Sequence, residues 1–413
     1  DIIASRTALV PEHLSWTAAG QVVLNHWWLT QVMFSALYSV GGAVLLTMAA
    51  GGCALAATIL SWRMTSGSSE WRVLLLITLG LTLPEWSIRP QVVSMLFMVL
   101  TIRFILAKRY WLALGLLVVW ANMHGMVVLG VAVALVPLTD AVLLNRRDLR
   151  RPLLLAAGAV VAPLVSPLGL SYWPRVIDTV TVSRGLGLSE YRPALDEPTG
   201  WLLALVLAAL LGGAIRGRRL ITLSPPDRQL ILMAIGLAVP ALLSLRNVAF
   251  FVLAAVPALS KVFPRPARHP KQALTQVGLS LVGAAAVVAI VAVFFSWIEG
   301  GASRAWKPIG PAAIAAVKAC PDNLFNGLYE GGELIWFVPE RPVFVDGRVE
   351  VYPHDFLLRT RQAERAGDYQ SLFSEYGIRC AVIHRDSPMY PYLQRDPAFT
   401  SRFSDSRWAV FVR

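Results

Sequence analysis

The sequence has little charge and few cysteines. Charged residues make up 15% of its 413 residues, and it contains three cysteines. Since about a quarter of the residues of a soluble globular domain are charged, this composition does not favour a water-soluble protein with one large core. The sequence also lacks HExxH and CxxC metal motifs, Walker and Rossmann glycine patterns, and a nucleophile elbow. These absences give no support to chemistry on a soluble nucleotide.

What is abundant is apolar sequence, which makes up 56% of the chain and occurs in blocks. Blocks of this kind are typical of membrane spans. Several are shorter than the ~20 residues of a full span, as helices that line a protein-walled cavity can be. The predicted fold is therefore mainly α, a polytopic transmembrane helix bundle of about ten spans with a small C-terminal α/β domain. The apolar blocks cover residues 42–62, 73–84, 90–107, 111–120, 125–144, 152–165, 201–215, 230–244, 248–262 and 273–297. A further stretch, 27–38, ends before Gly41-Gly42 and is predicted to be an interfacial or re-entrant helix.

The basic residues predict the orientation of the helices. The net charge is +12, but the basic residues lie between apolar blocks, so we expect no nucleic-acid binding. Alternate connections are rich in Lys and Arg, which the positive-inside rule assigns to the cytoplasm. We therefore expect an extracytoplasmic loop and interfacial helix over 1–41, a transmembrane domain over 42–300 and an extracytoplasmic α/β domain over 301–413. The basic connections contain Arg63 and Arg72; Lys108 and Arg109; Arg146, Arg147, Arg150 and Arg151; Arg216, Arg218, Arg219 and Arg228; and Lys261, Arg265, Arg268 and Lys271.

The C-terminal part changes character at about Gly301, where apolar runs shorten and charge rises. The pattern predicts helices over 312–319, 356–366 and 369–376, and strands over 323–325, 343–346, 380–384 and 409–413. Outside the cytoplasm, Cys320 and Cys380 are permitted to form a disulfide, although the sequence leaves that pairing open. Cys53 lies in an apolar block and is interpreted as a packing residue.

Polar residues at the predicted outer ends of the helices form the candidate site. Arg89 and Arg246 can hold a phosphate or diphosphate, and Glu85, Glu190 or His124 can act as base or metal ligand. The structural alternative is that these groups cap helices, with Arg89 paired to Glu85. Charged residues at the end of the 343–346 strand either face a ligand or the membrane domain, or stabilise a turn through an Asp346–Arg348 contact. The candidate catalytic residues are Glu12, Glu85, Glu190 and His124, and the candidate substrate-binding residues are His26, Arg89, Gln91, Asn122, Arg246, Asp346 and Arg348.

A set of short motifs resembles the GT-C superfamily of polytopic membrane glycosyltransferases, in particular bacterial members with a C-terminal extracytoplasmic α/β domain. The motifs are Thr17-x-x-Gly-Gln, Asn25-His-x-Trp-Leu29, Arg89-Pro-Gln91, Trp120-Ala-Asn-x-His-Gly125, Ser166-Pro-x-Gly169, Glu190-Tyr, Leu245-Arg-Asn, Gly331-Gly-x-Leu-Ile-Trp336 and Phe344-Val-Asp-Gly-Arg348. The resemblance implies transfer of a sugar from a polyprenyl-phosphate donor, with an acid in the first extracytoplasmic loop acting as base or metal ligand.

Several positions depart from the pattern of that family. The chain begins at Asp1, with no signal peptide visible, as after a cut or a processing site, so the first-loop acid has no assigned position. Glu12 stands where related sequences often have Asp, Ser166 where they tend to have Asn, and Tyr191 where they have Trp.

Three functions follow from this sequence. The first is a glycosyltransferase of the bacterial inner membrane, with membrane lipids and a polyprenyl-phosphate-linked sugar as partners. The second is an inactive GT-C-like accessory or structural subunit of a larger membrane complex. The third, a transporter or flippase, ranks lowest because the polar residues collect at one face. Cofactors are unknown, and a divalent metal remains open although no metal motif is present.

Overall fold

The structure is a computed structural model that describes residues 8–24, 27–65, 69–80, 82, 88–144, 148–215, 222–263 and 309–413. It is mostly helical, with a small sheet near the C-terminus. The chain divides into two compact units. Among the described residues, the larger unit comprises 27–176 and 187–263, and the smaller unit comprises 8–24, 177–186 and 309–413. The sequence-based boundaries at 41 and 300 differ from this division, because 8–24 and 177–186 belong to the same unit as 309–413.

The larger unit is built from helices whose bounds follow the apolar blocks, apart from Tyr172–Gly185, which corresponds to no predicted block. The predicted span at 273–297 lies outside the described residues. The helices from the start of this unit to its end are α1 (Trp28–Trp62), α2 (Ser69–Gly80), α3 (Pro90–Leu106), α4 (Tyr110–Met123), α5 (Val127–Leu143), α6 (Arg150–Val161), α7 (Tyr172–Gly185, assigned to the smaller unit from Ile177), α8 (Pro198–Ile215), α9 (Pro225–Leu243) and α10 (Val248–Val262).

Helix α1 is broken at a glycine pair. Gly41 (φ −140°, ψ 19°) and Gly42 (φ 60°, ψ −156°) both depart from helical geometry. The positive φ of Gly42 is a backbone conformation that glycine adopts without steric cost. The first apolar stretch therefore ends at this glycine pair, as the sequence indicated, and its interfacial or re-entrant placement stays a prediction.

The long apolar helices are compatible with a membrane protein. Among the described residues, Trp28–Trp62, Pro225–Leu243 and Leu245–Val262 are long and apolar enough to cross a membrane. The helices Arg150–Leu164 and Gly169–Gly185 meet the same criteria only when taken together, and the bend of 106° between them is typical of a broken span or a re-entrant loop. Other apolar helices, including α3, α4 and α5, are shorter. The count of about ten spans is therefore not reached by these criteria and stays a prediction.

Helix α8 has an exposed apolar stripe. Trp201 is 64%, Leu205 67% and Ile215 74% exposed. At 100° per residue these three positions lie on one face of the helix. Such a face suits contact with lipid better than contact with water.

A buried ion pair joins α5 to α9. Arg228 donates through Nε and Nη2 to the two carboxylate oxygens of Asp140, and Gln229 Nε2 donates to Asp140 Oδ2 across 3.3 Å. Both charged residues are almost fully buried. Because each charge is compensated by the other, the pair fixes the two helices without leaving an isolated charge in the interior.

The smaller unit contains a four-stranded sheet in the order β3-β4-β6-β5. Strands β3 and β4 are parallel, and β6 is antiparallel to both of its neighbours. A two-stranded antiparallel sheet joins β1 to β2. The elements are β1 (Leu9–Pro11), β2 (Val22–Leu24), α11 (Pro311–Lys318), β3 (Leu324–Asn326), α12 (Gly331–Phe337), α13 (His354–Ala366), α14 (Gln370–Glu375), β4 (Cys380–His384), α15 (Tyr390–Arg395), β5 (Thr400–Ser404) and β6 (Trp408–Val412).

A disulfide joins Cys320 to Cys380, with the Cα atoms 5.7 Å apart. Both cysteines belong to the apolar core between α11 and the sheet, together with Val317, Leu324 and Val410. Cys53 is the free cysteine of the described chain. The bond therefore ties the end of α11 to the first residue of β4.

The predicted strand at 343–346 is wrong. Val343 forms an isolated bridge to Ser15, and no strand follows it. The buried Asn326 side chain takes the place of a partner strand: its Oδ1 accepts from Phe344 N, and its Nδ2 donates to Val345 O, each across 2.7 Å. A side chain that satisfies backbone groups in this way removes the need for a strand ladder.

Candidate functional site

In the larger unit, the ends of several helices bring together Arg89, His124, Glu190, Tyr191 and Arg246, which we call the Glu190 cluster. Arg89 is the N-cap of α3, and His124 is the C-cap of α4. Glu190 and Tyr191 lie in a 3₁₀ turn before α8, and Arg246 lies in the 3₁₀ turn between α9 and α10. Of the predicted site residues, the structure thus groups Arg89, His124, Glu190 and Arg246.

Glu190 bridges the two arginines. Its Oε2 accepts from Arg89 Nη1 at 2.9 Å, and its Oε1 accepts from Arg246 Nη1 at 3.4 Å. Arg246 Nη1 also donates to the Tyr191 hydroxyl at 2.6 Å. The Arg89 side chain is 61% exposed, whereas that of Arg246 is 15% exposed. With two guanidinium groups and one carboxylate, these three residues carry an excess of one positive charge, which favours an anionic ligand.

The contacts of His124 assign a donor or acceptor role to each of its two ring nitrogens. Arg246 Nη2 lies 3.1 Å from His124 Nε2, and because arginine can only donate, Nε2 accepts. The hydrogen of a neutral imidazole then lies on Nδ1, which donates to Ser94 Oγ at 2.8 Å. Ser94 Oγ also accepts from Trp120 Nε1 at 2.8 Å. His124 is therefore a neutral acceptor that orients Arg246, and its basic nitrogen is engaged by that arginine.

Hydrogen bonds to backbone oxygens hold the segments around the two 3₁₀ turns of the cluster in place. Ser244 Oγ donates to Glu190 O at 2.8 Å, and Leu245 N donates to Arg192 O at 3.0 Å. The buried Gln91 donates from Nε2 to Arg246 O, also at 3.0 Å. Gln91, predicted to bind substrate, thus supports the backbone of Arg246.

The remaining predicted residues of this unit have other roles or lie outside the described part. Asn122 Oδ1 accepts from Trp28 Nε1 at 3.0 Å, and its Nδ2 donates to Val165 O at 2.8 Å. These contacts join helix ends and use both the oxygen and the nitrogen of the Asn122 amide. His26 and Glu85 lie outside the described residues, and so does the predicted Arg89–Glu85 pair.

In the smaller unit, Glu12, Asp346 and Arg348 meet in a second group, the Arg348 network, which also contains Tyr352. Arg348 donates from Nη1 and Nη2 to the two oxygens of Glu12, at 2.7 and 3.0 Å. It also donates from Nη2 to Asp346 Oδ2 at 2.6 Å, and the Tyr352 hydroxyl donates to the same oxygen at 2.9 Å. The proposed Asp346–Arg348 turn contact is therefore present.

Both carboxylates of this network accept several hydrogen bonds. Glu12 Oε1 accepts from Leu14 N and Ser15 N as well as from Arg348. Burial alone lowers the pKa of Arg348, but the hydrogen bonds and charges of Asp346 and Glu12 outweigh it and raise the pKa. Burial, followed by the charge of Asp346, raises the pKa of Tyr352. A group paired in this way stabilises the fold around 8–24. The catalytic role of Glu12 stays a prediction.

A buried acid pair lies beyond the carboxyl end of β3. A Cβ atom added to Gly327 would lie 2.5 Å from Glu364 Oε1 and 2.6 Å from Glu330 Oε2, so the glycine allows both carboxylates to approach. Burial and then the charge of Glu364 raise the pKa of Glu330 to about 7. Burial and then the charge of Arg407 lower the pKa of the neighbouring His384 to about 4. In the described chain, no group of three or more His, Cys, Asp or Glu side chains is arranged to hold a metal ion.

Sequence reasoning missed Ser94 and Glu330. Ser94 lies three residues after Gln91 in an apolar helix, a spacing that places both on one face. A lone serine on that face was the available signal. Glu330 precedes Gly331-Gly332 at the start of α12, where nothing in the sequence distinguishes it from an ordinary cap residue.

No protein-family model matches the chain, and no curated protein matches its sequence.

Proposed function

We propose that the chain is a GT-C-like membrane glycosyltransferase that transfers a sugar from a polyprenyl-phosphate donor on the extracytoplasmic face. The observation that carries the proposal is the Glu190 cluster, in which Arg89 and Arg246 flank one carboxylate. Guanidinium groups recognise phosphate oxygens through charge-assisted hydrogen bonds. A pair of them at the ends of apolar helices suits a phosphate that is attached to a lipid.

The membrane location and its sidedness rest on separate features. The long apolar helices and the exposed apolar stripe of α8 support a lipid environment. The disulfide between Cys320 and Cys380 supports an extracytoplasmic smaller unit, because disulfides persist in oxidising compartments. Both are consistent with a multi-pass protein of the bacterial inner membrane.

In the proposed reaction, the acceptor hydroxyl attacks the anomeric carbon of the donor. A bond forms between the acceptor oxygen and that carbon as the bond from carbon to phosphate oxygen breaks. The electron pair leaves with the polyprenyl phosphate, and Arg89 and Arg246 neutralise its charge. A carboxylate takes the proton of the acceptor hydroxyl. Among the described residues, Glu190 is the carboxylate nearest to these arginines.

The test is a transfer assay on the full-length protein in lipid nanodiscs with radiolabelled polyprenyl-phosphate sugars. We expect labelled sugar to be bound and released from the lipid, and Arg246→Gln to reduce turnover by about tenfold or more. The proposal fails if the protein neither binds nor turns over such donors while its helical circular dichroism is intact.

A second candidate is an inactive accessory subunit of a larger membrane complex. The observation that favours it is the engagement of the predicted catalytic groups: both oxygens of Glu12 and both of Glu190 accept hydrogen bonds from arginine. A fold shared with enzymes does not by itself imply activity. Native mass spectrometry of the protein extracted from its own membrane distinguishes the two. A stable hetero-complex supports this candidate, and a free monomer or homodimer contradicts it.

A further inference from the structure

We propose that Glu190 is an internal anion that occupies the phosphate position between Arg89 and Arg246, and that an arriving phosphate group displaces its carboxylate from Arg89. This inference rests on the proposed function only in placing a phosphate ligand at the cluster. It adds that the site is closed by one of its own residues before the ligand binds.

The geometry of Glu190 is that of a bound anion. Its two oxygens are divided between the two arginines, Oε2 on Arg89 at 2.9 Å and Oε1 on Arg246 at 3.4 Å. Phosphate oxygens, like carboxylate oxygens, accept charge-assisted hydrogen bonds from arginine, and one phosphate group can accept from two guanidinium groups at once. A carboxylate and a phosphate therefore compete for the same donors.

The two contacts of Glu190 differ in their surroundings. Arg246 is largely buried and is fixed by His124 and the Tyr191 hydroxyl, at 3.1 and 2.6 Å. Arg89 is 61% exposed, and within the described part of the chain its side chain is hydrogen-bonded to Glu190. An exposed ion pair is worth little in free energy, because water and salt screen it. Displacement should therefore occur at Arg89, while Arg246 retains its geometry.

Displacement has a chemical consequence. When Arg89 turns to the phosphate, Glu190 Oε2 loses its hydrogen bond and becomes an acceptor beside the bound ligand. In the proposed reaction this oxygen takes the acceptor proton. The phosphate that must be bound for transfer to occur is thus the group that releases the base.

The experiment measures phosphate affinity with inorganic phosphate and with farnesyl phosphate in detergent, by isothermal titration calorimetry on the full-length protein. Glu190→Gln removes the carboxylate that competes for Arg89 and repels the phosphate, so both affinities should rise by roughly fivefold. Glu197→Gln is the matched control, since it removes an equal charge from an exposed position of the same segment and should leave both affinities unchanged. An unchanged or lower affinity in Glu190→Gln overturns the inference.

A second variant protects the test against misfolding. Should Glu190→Gln fail to fold, Arg89→Gln leaves Glu190 on Arg246 and removes the proposed entry point, so phosphate affinity should fall by about tenfold. Unchanged affinity in Arg89→Gln then overturns the inference. Sugar transfer is measured separately. Phosphate binding that responds to Glu190→Gln, together with absent transfer, upholds the inference and contradicts the glycosyltransferase proposal.

Discussion

Arg246 donates a hydrogen bond from Nη2 to Nε2 of His124 across 3.1 Å. This single contact determines what His124 can do, because a nitrogen that accepts from arginine is not free to take a proton from a substrate. The imidazole is instead one link in a chain from Trp120 through Ser94 to Arg246. The cluster is therefore organised around the position of a guanidinium group.

Replacing His124 by Phe should weaken phosphate binding by about tenfold, because Arg246 loses the acceptor that orients it. Calorimetry with farnesyl phosphate measures the loss, and His354→Phe, which removes an exposed histidine of the smaller unit, serves as the control. Nitrogen-15 NMR of labelled protein should show a neutral His124 with its hydrogen on Nδ1. A hydrogen on Nε2 would contradict the assignment.

Glu12→Gln should destabilise the smaller unit by about 2 kcal/mol, because Arg348 keeps Asp346 but loses the charge-assisted hydrogen bonds to its other buried carboxylate partner. Thermal unfolding followed by circular dichroism measures the change. Arg359→Gln breaks a pair in which both side chains are 48% exposed and should cost at most about 0.5 kcal/mol. Equal losses in the two variants would show that burial of the network does not matter.

Removing the disulfide should also destabilise the smaller unit. The bond closes a loop with a sequence separation of 60, for which chain entropy predicts about 4 kcal/mol. The double variant Cys320→Ser and Cys380→Ser should lower the melting temperature, and so should treatment of the wild type with dithiothreitol. Cys53→Ser is the control, because that cysteine is free, and its melting temperature should respond to dithiothreitol as that of the wild type does. Resistance of the wild type to reductant, with free thiols detected at both positions, argues against the bond.

The contribution of Glu330 to the stability of the smaller unit should fall as the pH rises from about 4.5 to about 7. The fold raises the pKa of Glu330 to about 7 and so favours its protonated form. The resulting stabilisation is fully present below the unfolded pKa and is lost as the pH passes through the folded one. Glu330→Gln should remove this slope and gain of the order of 2 kcal/mol at pH 8. Melts of both proteins between pH 5 and 8 check the result, and parallel curves for the two would contradict it.

His384 acts in the opposite direction. Burial and then the charge of Arg407 lower its pKa to about 4, so the folded state disfavours the charged form. Its contribution is lost as the pH falls from the ordinary histidine range towards 4. The comparison above therefore begins at pH 5 and relies on the difference between the wild type and Glu330→Gln, since both proteins contain His384.

The helices were largely predictable because apolar blocks set their positions. Helix α10 matches its block at both ends, and the Gly41-Gly42 break was visible as a pair of residues with high backbone freedom. The strand predicted at 343–346 failed because the signal was local, whereas its backbone groups pair with those of Leu14 and Trp16 and with the side chain of Asn326. Apolar character marked that segment as buried, but it did not specify how its backbone groups are satisfied.

The sequence predicted which residues belong to the site better than it predicted the contacts that each of them makes. Charged residues at helix ends identified Arg89, Glu190 and Arg246, since ionisable groups between apolar blocks are costly unless they serve a ligand or a partner. The sequence did not show that Glu190 bridges both arginines. It also did not show that Glu12 pairs with Arg348, which is 336 residues away in sequence. Pairings over such separations depend on the tertiary fold, and no local pattern encodes them.

The most direct test of the account is the affinity of the full-length protein, in nanodiscs, for a polyprenyl-phosphate-linked sugar. The wild type should bind, Arg246→Gln should bind at least about tenfold more weakly, and Arg192→Gln, which removes an exposed arginine of the neighbouring turn, should bind like the wild type. Absent binding by the wild type, or an equal loss in the two variants with helical content intact, would contradict the assignment of the Glu190 cluster as the phosphate site.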